Sequence, residues 1–424
     1  KFNQIFKIEE VWVYLGIIAV STTIIAVNIS SMYSPYDAFH QSFFYVASLI
    51  TTTGFGLTDV NEWPELSKAV ILIITFIGAT AGSTGGGIKV SRLVILVKSG
   101  MRDIKKAINP RSIETVKVDK QTVEEPVVKG ISVFFAMYIG AILFQGKGFL
   151  KPQTFFNILN ANAALIIIAC GMSIVMITGG IDISVGGVAA LVSMCCAVHL
   201  DHKGGNVIGA IGIALLIGLL YGVVQGVLVA YLDIQPFIVS LAGMFFARGL
   251  TTIVNAVPFN VEHEGFKALK NYRIIMPGFG SINKKGEYVD AYIQIGVVVA
   301  ILVVILFFCV LRWTKLGRSF YAVGGNQHSA LMLGINVKKT KFLSHLICSV
   351  LAGIGGMVYF LYVGSGSPSH ASGMEMNAIA SAIIGGTLLT GGVGNIIGTF
   401  FGVLSLATIQ NIVSSAGLDQ AWWT

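Results

Sequence analysis

Long runs without a charged side chain alternate with short polar connectors along this chain. No Asp, Glu, Lys or Arg occurs in 11–36, 69–88, 152–181, 204–232, 291–311 or 376–418. A helix of about 20 apolar residues crosses the hydrocarbon core of a bilayer. Inside lipid every backbone N–H and C=O must be paired within the protein, so runs of this length are helices. A β-barrel would alternate apolar and polar residues in short segments, and these runs do not alternate. The pattern predicts spans at 11–29, 66–97, 128–145, 155–178, 184–200, 206–231, 236–256, 291–312, 342–363 and 394–415. Segment 36–50 is apolar but shorter than a span, and 376–390 is broken by glycine. The connector 98–127 and the stretch 257–290, which holds Pro258 and Pro277, are polar and predict loops.

Composition sharpens this into an all-α polytopic membrane protein. Hydrophobic residues make up 54% of the 424 and charged residues 11%, against about 25% charged in a soluble domain. The net charge of +8 is not spread as a nucleic-acid footprint. It gathers in Lys98, Arg102, Lys105, Lys106 and Arg111, and in Arg312, Lys315, Arg318, Lys338, Lys339 and Lys341. Short basic connectors between spans mark the cytoplasmic side, so the expected partner surface is the lipid bilayer. The five cysteines lie in apolar runs without C-x-x-C spacing, which predicts inert thiols. No catalytic constellation stands out, so an enzyme is not expected. Gly218, Gly222 and Gly226, like Gly394, Gly398 and Gly402, recur every four residues and place a small face where another backbone can approach.

Two motifs stand out in the first third. The short apolar segment 36–50 ends in Thr51-Thr52-Thr53-Gly54-Phe55-Gly56. Backbone carbonyls of such a strand can replace the hydration shell of K+, and glycine permits the dihedrals that turn them inward. Then Gly82-Ser83-Thr84-Gly85-Gly86-Gly87-Ile88-Lys89 interrupts an apolar run. Ile88 and Val90 exclude a Walker A loop, whose Lys directly follows the last glycine and precedes Ser or Thr.

These residues, with Trp63-Pro64 and Asn109-Pro110, resemble the Trk/Ktr potassium transporters over 1–143. The resemblance implies a helix–pore-helix–helix repeat plus the first helix of the next. Thr52, Thr53, Gly54, Phe55 and Gly56 would be one strand of a K+ filter. Gly82, Ser83, Thr84, Gly85, Gly86, Gly87 and Lys89 would form a gate-like loop beneath it. A cytosolic nucleotide-binding regulatory subunit would be the partner. In that family four filter strands surround the ion, and this chain carries one.

In the remainder, Gly179-Gly180-Ile181-Asp182-Ile183-Ser184-Val185-Gly186-Gly187 lies between two apolar runs. Asp182 is the only formal charge between Lys151 and Asp201. An acid there marks a functional site by default, and it can also cap the helix beginning near Ser184. Both hold if broken helix ends face a translocation path. Glu375 precedes a second glycine-broken segment. In the basic connector, Gly324-Gly325-Asn326 predicts a turn, 327–333 a short helix, and Gly334 its end. Ala330, Leu331, Met332 and Leu333 predict an exposed apolar patch of the kind partners cover.

GGIDISVGG at 179–187, GGN…LGI at 324–335 and GGTLLTGGVG at 385–394 resemble permeases of sugar ABC importers of the ribose, galactose and xylose type. LAGMFFARG at 241–249 and Trp422-Trp423 look most like the galactofuranose branch. Over 144–424 the resemblance implies a multi-span permease bundle with broken, re-entrant helices, lacking the family's first and last helices. Span 128–145 stands where the first would be. Asp182, Ser184 and Glu375 would line the path. Gly324, Gly325, Asn326, Ala330, Gly334 and Ile335 would form the ATPase-docking loop. Two ATPases, a second permease subunit and a periplasmic sugar-binding protein would be partners, with ATP hydrolysed by the partner and no cofactor here. The setting would be the bacterial inner membrane. The two resemblances together describe a chimera joined near residue 144. Three readings follow: a sugar-importer permease fused to a partial potassium-transporter repeat, a potassium channel-like subunit, and a composite of two fragments without joint activity.

Overall fold

Among the described residues the charge-free runs 11–36, 152–181, 204–232 and 291–311 are mostly helical. The structure, a computed structural model, describes residues 9–51, 56, 60, 63–78, 88–90, 94, 95, 98, 117–118, 121–122, 125–145, 151–282 and 288–415. The chain forms two compact units, 1–128 and 129–424.

In the first unit, α1 is Glu9–Ile29, α2 Pro35–Ile50 and α3 Glu65–Phe76. Pro35 sits at the start of α2, where its missing N–H costs nothing, and the Ser34 side chain accepts the Asp37 N–H at 3.2 Å. The three helices close on Ile25, Ile29, Tyr45, Val46, Ile50, Trp63 and Ile74. Trp63 meets Tyr45 edge-on at 5.0 Å, and Asn28 donates to Ser67 at 2.8 Å across α1 and α3. The span expected over 66–97, with the glycine-rich run 82–89 interrupting it, is described only in part. The helix stops at Phe76, and β1 (Ile77–Gly78) pairs in parallel with β2 (Ile88–Lys89). Glycine costs about 0.8–1.0 kcal/mol relative to alanine in a helix interior, and the helix ends where the glycine-rich run begins. Two-residue strands β3 (Lys117–Val118) and β4 (Gln121–Thr122) pair antiparallel.

The unit boundary falls inside α4 (Glu125–Gln145), most of which folds with the second unit. There α5 (Pro152–Ile177) is the central helix, buried along nearly its whole length. Against it pack α10 (Ile295–Trp313), α13 (Val337–Val363), α14 (Met374–Ile384) and α15 (Ile396–Ser415), while α6 (Val185–Asp201) and α7 (Val207–Ala230) pack on α13 and α8 (Pro236–Val254) packs on α6. Among the described residues seven helices are long and apolar enough to cross a membrane: α1, α5, α7, α8, α10, α13 and α15. The protein is a multi-pass membrane protein. The glycine face of α7 lies on α13 as its spacing predicts. A Cβ on Gly222 would come within 2.9 Å of Leu346 Cα, and one on Gly218 within 2.8 Å of the Ser349 carbonyl.

The stretch 257–290 is more than the loop expected. Beyond α8 come β5 (Phe259–Asn260), α9 (Glu264–Asn271), β6 (Arg273–Ile282) and β7 (Tyr288–Gln294). β6 and β7 form an antiparallel hairpin whose register shifts between Met276 and Gly280. Pro277 falls at that irregularity, where a missing N–H breaks no ladder bond. Phe266 of α9 stacks on Phe360 of α13 at 4.4 Å, both fully buried. β5 pairs with β8 (Ser365–Gly366) just past the end of α13. This end of the unit is opposite the one that carries α11 (Lys315–Gly325) and α12 (Gln327–Met332).

Candidate functional site

The non-helical stretch 364–373 continues past α13, with Ser369 and Ser372 exposed along it. It runs along α6 against the helix direction. Gly366 lies on Ala197 and Met194, His370 bonds Ser193 Oγ at 3.1 Å, and the Ala371 carbonyl reaches Gly186. Helix α14 then begins midway along the bundle. Irregular backbone at such depth needs donors from the protein, and Arg248 of α8 supplies them. Its guanidinium donates to the carbonyls of His370 (2.5 Å), Ala371 (2.9 Å) and Pro368 (3.4 Å). Sequence reasoning passed over Arg248, although it is the only formal charge between Asp233 and Glu262, the signal that singled out Asp182.

The first turn of α6 brings the two expected path acids to one place. Asp182, fully buried, precedes it. Its Oδ1 accepts the Ser184 N–H at 3.0 Å and the Ser184 hydroxyl at 2.6 Å. Gln225 of α7 donates to Ser184 Oγ at 2.7 Å. His345 and Cys348 of α13 lie within electrostatic reach of Asp182. Glu375, in the first turn of α14, presses its carboxylate on Gly186, where any Cβ would collide with Oε2. A helix N-terminus favours negative charge, and this one has a carboxylate before it and another beside it. Asp182 Oδ2, His345 Nε2, Gln225 Oε1 and Glu375 Oε2 are buried without a hydrogen-bond partner. Sequence reasoning also passed over Gln225, the one amide in α7, and His345 of α13, although an ionisable residue within a span is itself a signal.

At the other motif, Gly324 and Gly325 are the last residues of α11 rather than a turn. Gly324 is glycine because backbones meet there, whereas a Cβ on Gly325 would meet nothing. A Cβ on Gly324 would collide with the Ile177 carbonyl, and one on Gly392 would come within 2.8 Å of Gly325 Cα. Asn326 then caps α12 by accepting the Ser329 N–H at 2.9 Å. Gly334, at φ +78°, ends the turn, and the Ile335 N–H returns to the Ala330 carbonyl at 3.0 Å. The exposed patch is smaller than expected. Ala330 is 1% exposed, whereas Leu331, Met332 and Leu333 are 62%, 91% and 79% exposed. In so short a helix one side must rest on the bundle, and Ala330 is on it.

Thr52, Thr53, Gly54, Phe55, Gly82, Ser83, Thr84, Gly85, Gly86 and Gly87 lie outside the described residues. Gly56 is exposed beside the Tyr45 hydroxyl, and the Lys89 backbone is in β2. No cluster of metal-ligating His, Cys, Asp or Glu is found among the described residues.

Residues 154–424, nearly two thirds of the chain, match the family described as branched-chain amino acid transport system permease component. Residues 5–173 match the family described as cation transport protein. The chain therefore has two parts, overlapping at 154–173. It is 36% identical over 299 residues to the inner membrane ABC transporter permease protein YjfF of Escherichia coli, covering 70% of this chain and 87% of that one. It is 31% identical over 309 residues to the fructose import permease protein FruG of Bifidobacterium longum, covering 73% and 88%. The ribose import permease protein RbsC of Escherichia coli is 34% identical over 273 residues, covering 64% and 81%. A crystal structure of the potassium transporter TrkH from Vibrio parahaemolyticus is similar over 38% of this chain and about a third (34%) of that one, at 30% identity and a TM-score of 0.31.

Proposed function

This chain belongs to the family of branched-chain amino acid transport system permease components, and on that premise we propose that it is the membrane permease subunit of an ATP-driven sugar importer, fused to a partial potassium-transporter repeat. One observation carries the path: Asp182 and Glu375 flank the first turn of α6 at buried depth, each with one unpartnered oxygen, and Gln225 Oε1 and His345 Nε2 are unpartnered as well. Sugar hydroxyls both donate and accept, so carboxylate, amide and imidazole atoms in a dry interior suit them. Asp182, Ser184 and Glu375 line this path.

The chain hydrolyses nothing. ATP is consumed by ATPase subunits that dock on α12, through Leu331, Met332 and Leu333, at the cytoplasmic end marked by Arg312, Lys315, Arg318, Lys338 and Lys339. A second permease subunit completes the path, and a sugar-binding protein delivers substrate to the β6–β7 end. The setting is the bacterial inner membrane. The test is reconstitution with the ATPase and binding protein and a panel of labelled pentoses and hexoses. ATP-dependent uptake of at least one sugar is expected, and none from any of them would overturn the reading.

The Thr52–Gly56 sequence favours a second reading for the first unit, a K+-binding filter strand that needs three more from other chains and a cytosolic regulatory subunit. A K+-dependent current from this protein with such partners would support it.

A further inference from the structure

We propose that Arg248 is a positioning residue for sugar passage: its guanidinium holds the chain at 368–371 and thereby sets Glu375 against the first turn of α6. The role in passage rests on the importer reading above; the clamp itself does not. Three carbonyls converge on this side chain, those of Pro368, His370 and Ala371. The backbone they belong to makes only long bonds of its own, from the His370 N–H to the Ser367 carbonyl at 3.2 Å and from the Met374 N–H to the Ala371 carbonyl at 3.3 Å. Ala371 holds φ +52°, a left-handed conformation that a β-carbon disfavours. Helix α14 starts at Gly373 (φ +75°) with no side-chain cap. Glu375 follows one residue into the helix, and its charge faces Arg248. No other described side chain donates to these three carbonyls.

The segment has a second anchor. His370 bonds Ser193 and Ser365, and its ring meets Tyr359 edge-on at 5.4 Å. Loss of Arg248 therefore frees residues 371–375 locally and leaves the α6 side of the segment attached. Charge alone does not substitute. A planar fork spans three carbonyls, whereas a lysine ammonium is a point charge on a flexible stem.

The experiment uses the full chain assembled with its ATPase and sugar-binding protein, with Arg248→Lys and Arg248→Met. A reporter cysteine at buried Ala371 is labelled with a charged maleimide, above the background of the native cysteines. Both variants are expected to insert and to retain the ATPase. The labelling rate of Ala371→Cys is expected to rise by at least about fivefold as the segment opens locally. Maximal uptake should fall at least about tenfold, about 1.4 kcal/mol on the barrier, while the KM for loaded binding protein stays within about twofold. Unchanged labelling in both variants would overturn the clamp. Increased labelling with parental uptake would overturn the role in passage. If the parent itself takes up no sugar, the importer reading and the passage role fail together, and labelling still decides the clamp. Should Arg248→Met fail to insert, Arg248→Lys makes the same comparison with the charge retained.

Discussion

The carbonyl of Ile177 accepts the backbone N–H of Gly392 at 2.9 Å. This single bond joins the end of the central helix to the turn between α14 and α15. Gly324 of α11 lies on the same carbonyl, and Gly391 lies on both the Gly324 carbonyl and Gly179. Three glycine motifs, distant in sequence, thus meet backbone to backbone beside the linker that carries Asp182. The docking proposed at α12 would reach Asp182 through this contact.

Gly324→Val should break that link. No flexible side chain can yield at this point, because the obstacles are backbone atoms. Overpacking of this kind costs about 1–3 kcal/mol. The expected result is a lower Tm in detergent and ATPase activity no longer stimulated by loaded binding protein. Parental Tm and stimulation would show that the contact is dispensable.

Asp182→Asn keeps an oxygen for the Ser184 N–H and hydroxyl but removes the charge. Insertion and Tm should stay near the parent, while uptake falls about tenfold, equal to about 1.4 kcal/mol. Asp182→Leu strands both donors, at about 1–3 kcal/mol for each unsatisfied group, and should lower Tm as well. Intact uptake in the Asn variant would reduce Asp182 to a cap. Uptake assays paired with thermal melts separate the two roles.

Met332→Glu should insert and fold normally, since the side chain is 91% exposed, yet fail to co-purify with the ATPase. Ala330→Glu is the wrong probe, because Ala330 is buried and a carboxylate there would disturb the fold itself. Retention of the ATPase at the parental ratio by both Leu331→Glu and Met332→Glu would withdraw the docking assignment.

Liposomes holding only this chain should take up rubidium no faster than empty ones. One copy of Thr52-Thr53-Gly54-Phe55 is present, and one strand cannot replace a hydration shell that four normally share. A rubidium flux clearly above the empty control, blocked by excess K+, would contradict this.

Much was legible in the sequence for one physical reason: lipid forces backbone pairing to be local. Charge-free runs therefore became helices close to the expected bounds, as at α5, α7, α8 and α10. The four-residue glycine spacing of α7 fixed which face another helix would meet. Asp182 was singled out by the cost of burying charge, and Glu375 by its place before a glycine-broken segment. The sequence also assigned the two family parts from their motifs.

Tertiary structure alone decided what those residues touch. Stretch 257–290 looked like a loop because polar composition does not distinguish a loop from a hairpin whose partner strand is nearby. Gly324 looked like a turn because glycine serves turns and close approaches alike, and only the neighbouring Ile177 carbonyl tells them apart. Ala330 looked exposed because a helix of six residues has no readable periodicity. Arg248 carried a charge signal along the chain, but its carbonyl partners, like the contacts of Gln225 and His345, appeared only when α7, α8 and α13 came together, since hydrogen bonding across helices leaves no spacing along the chain.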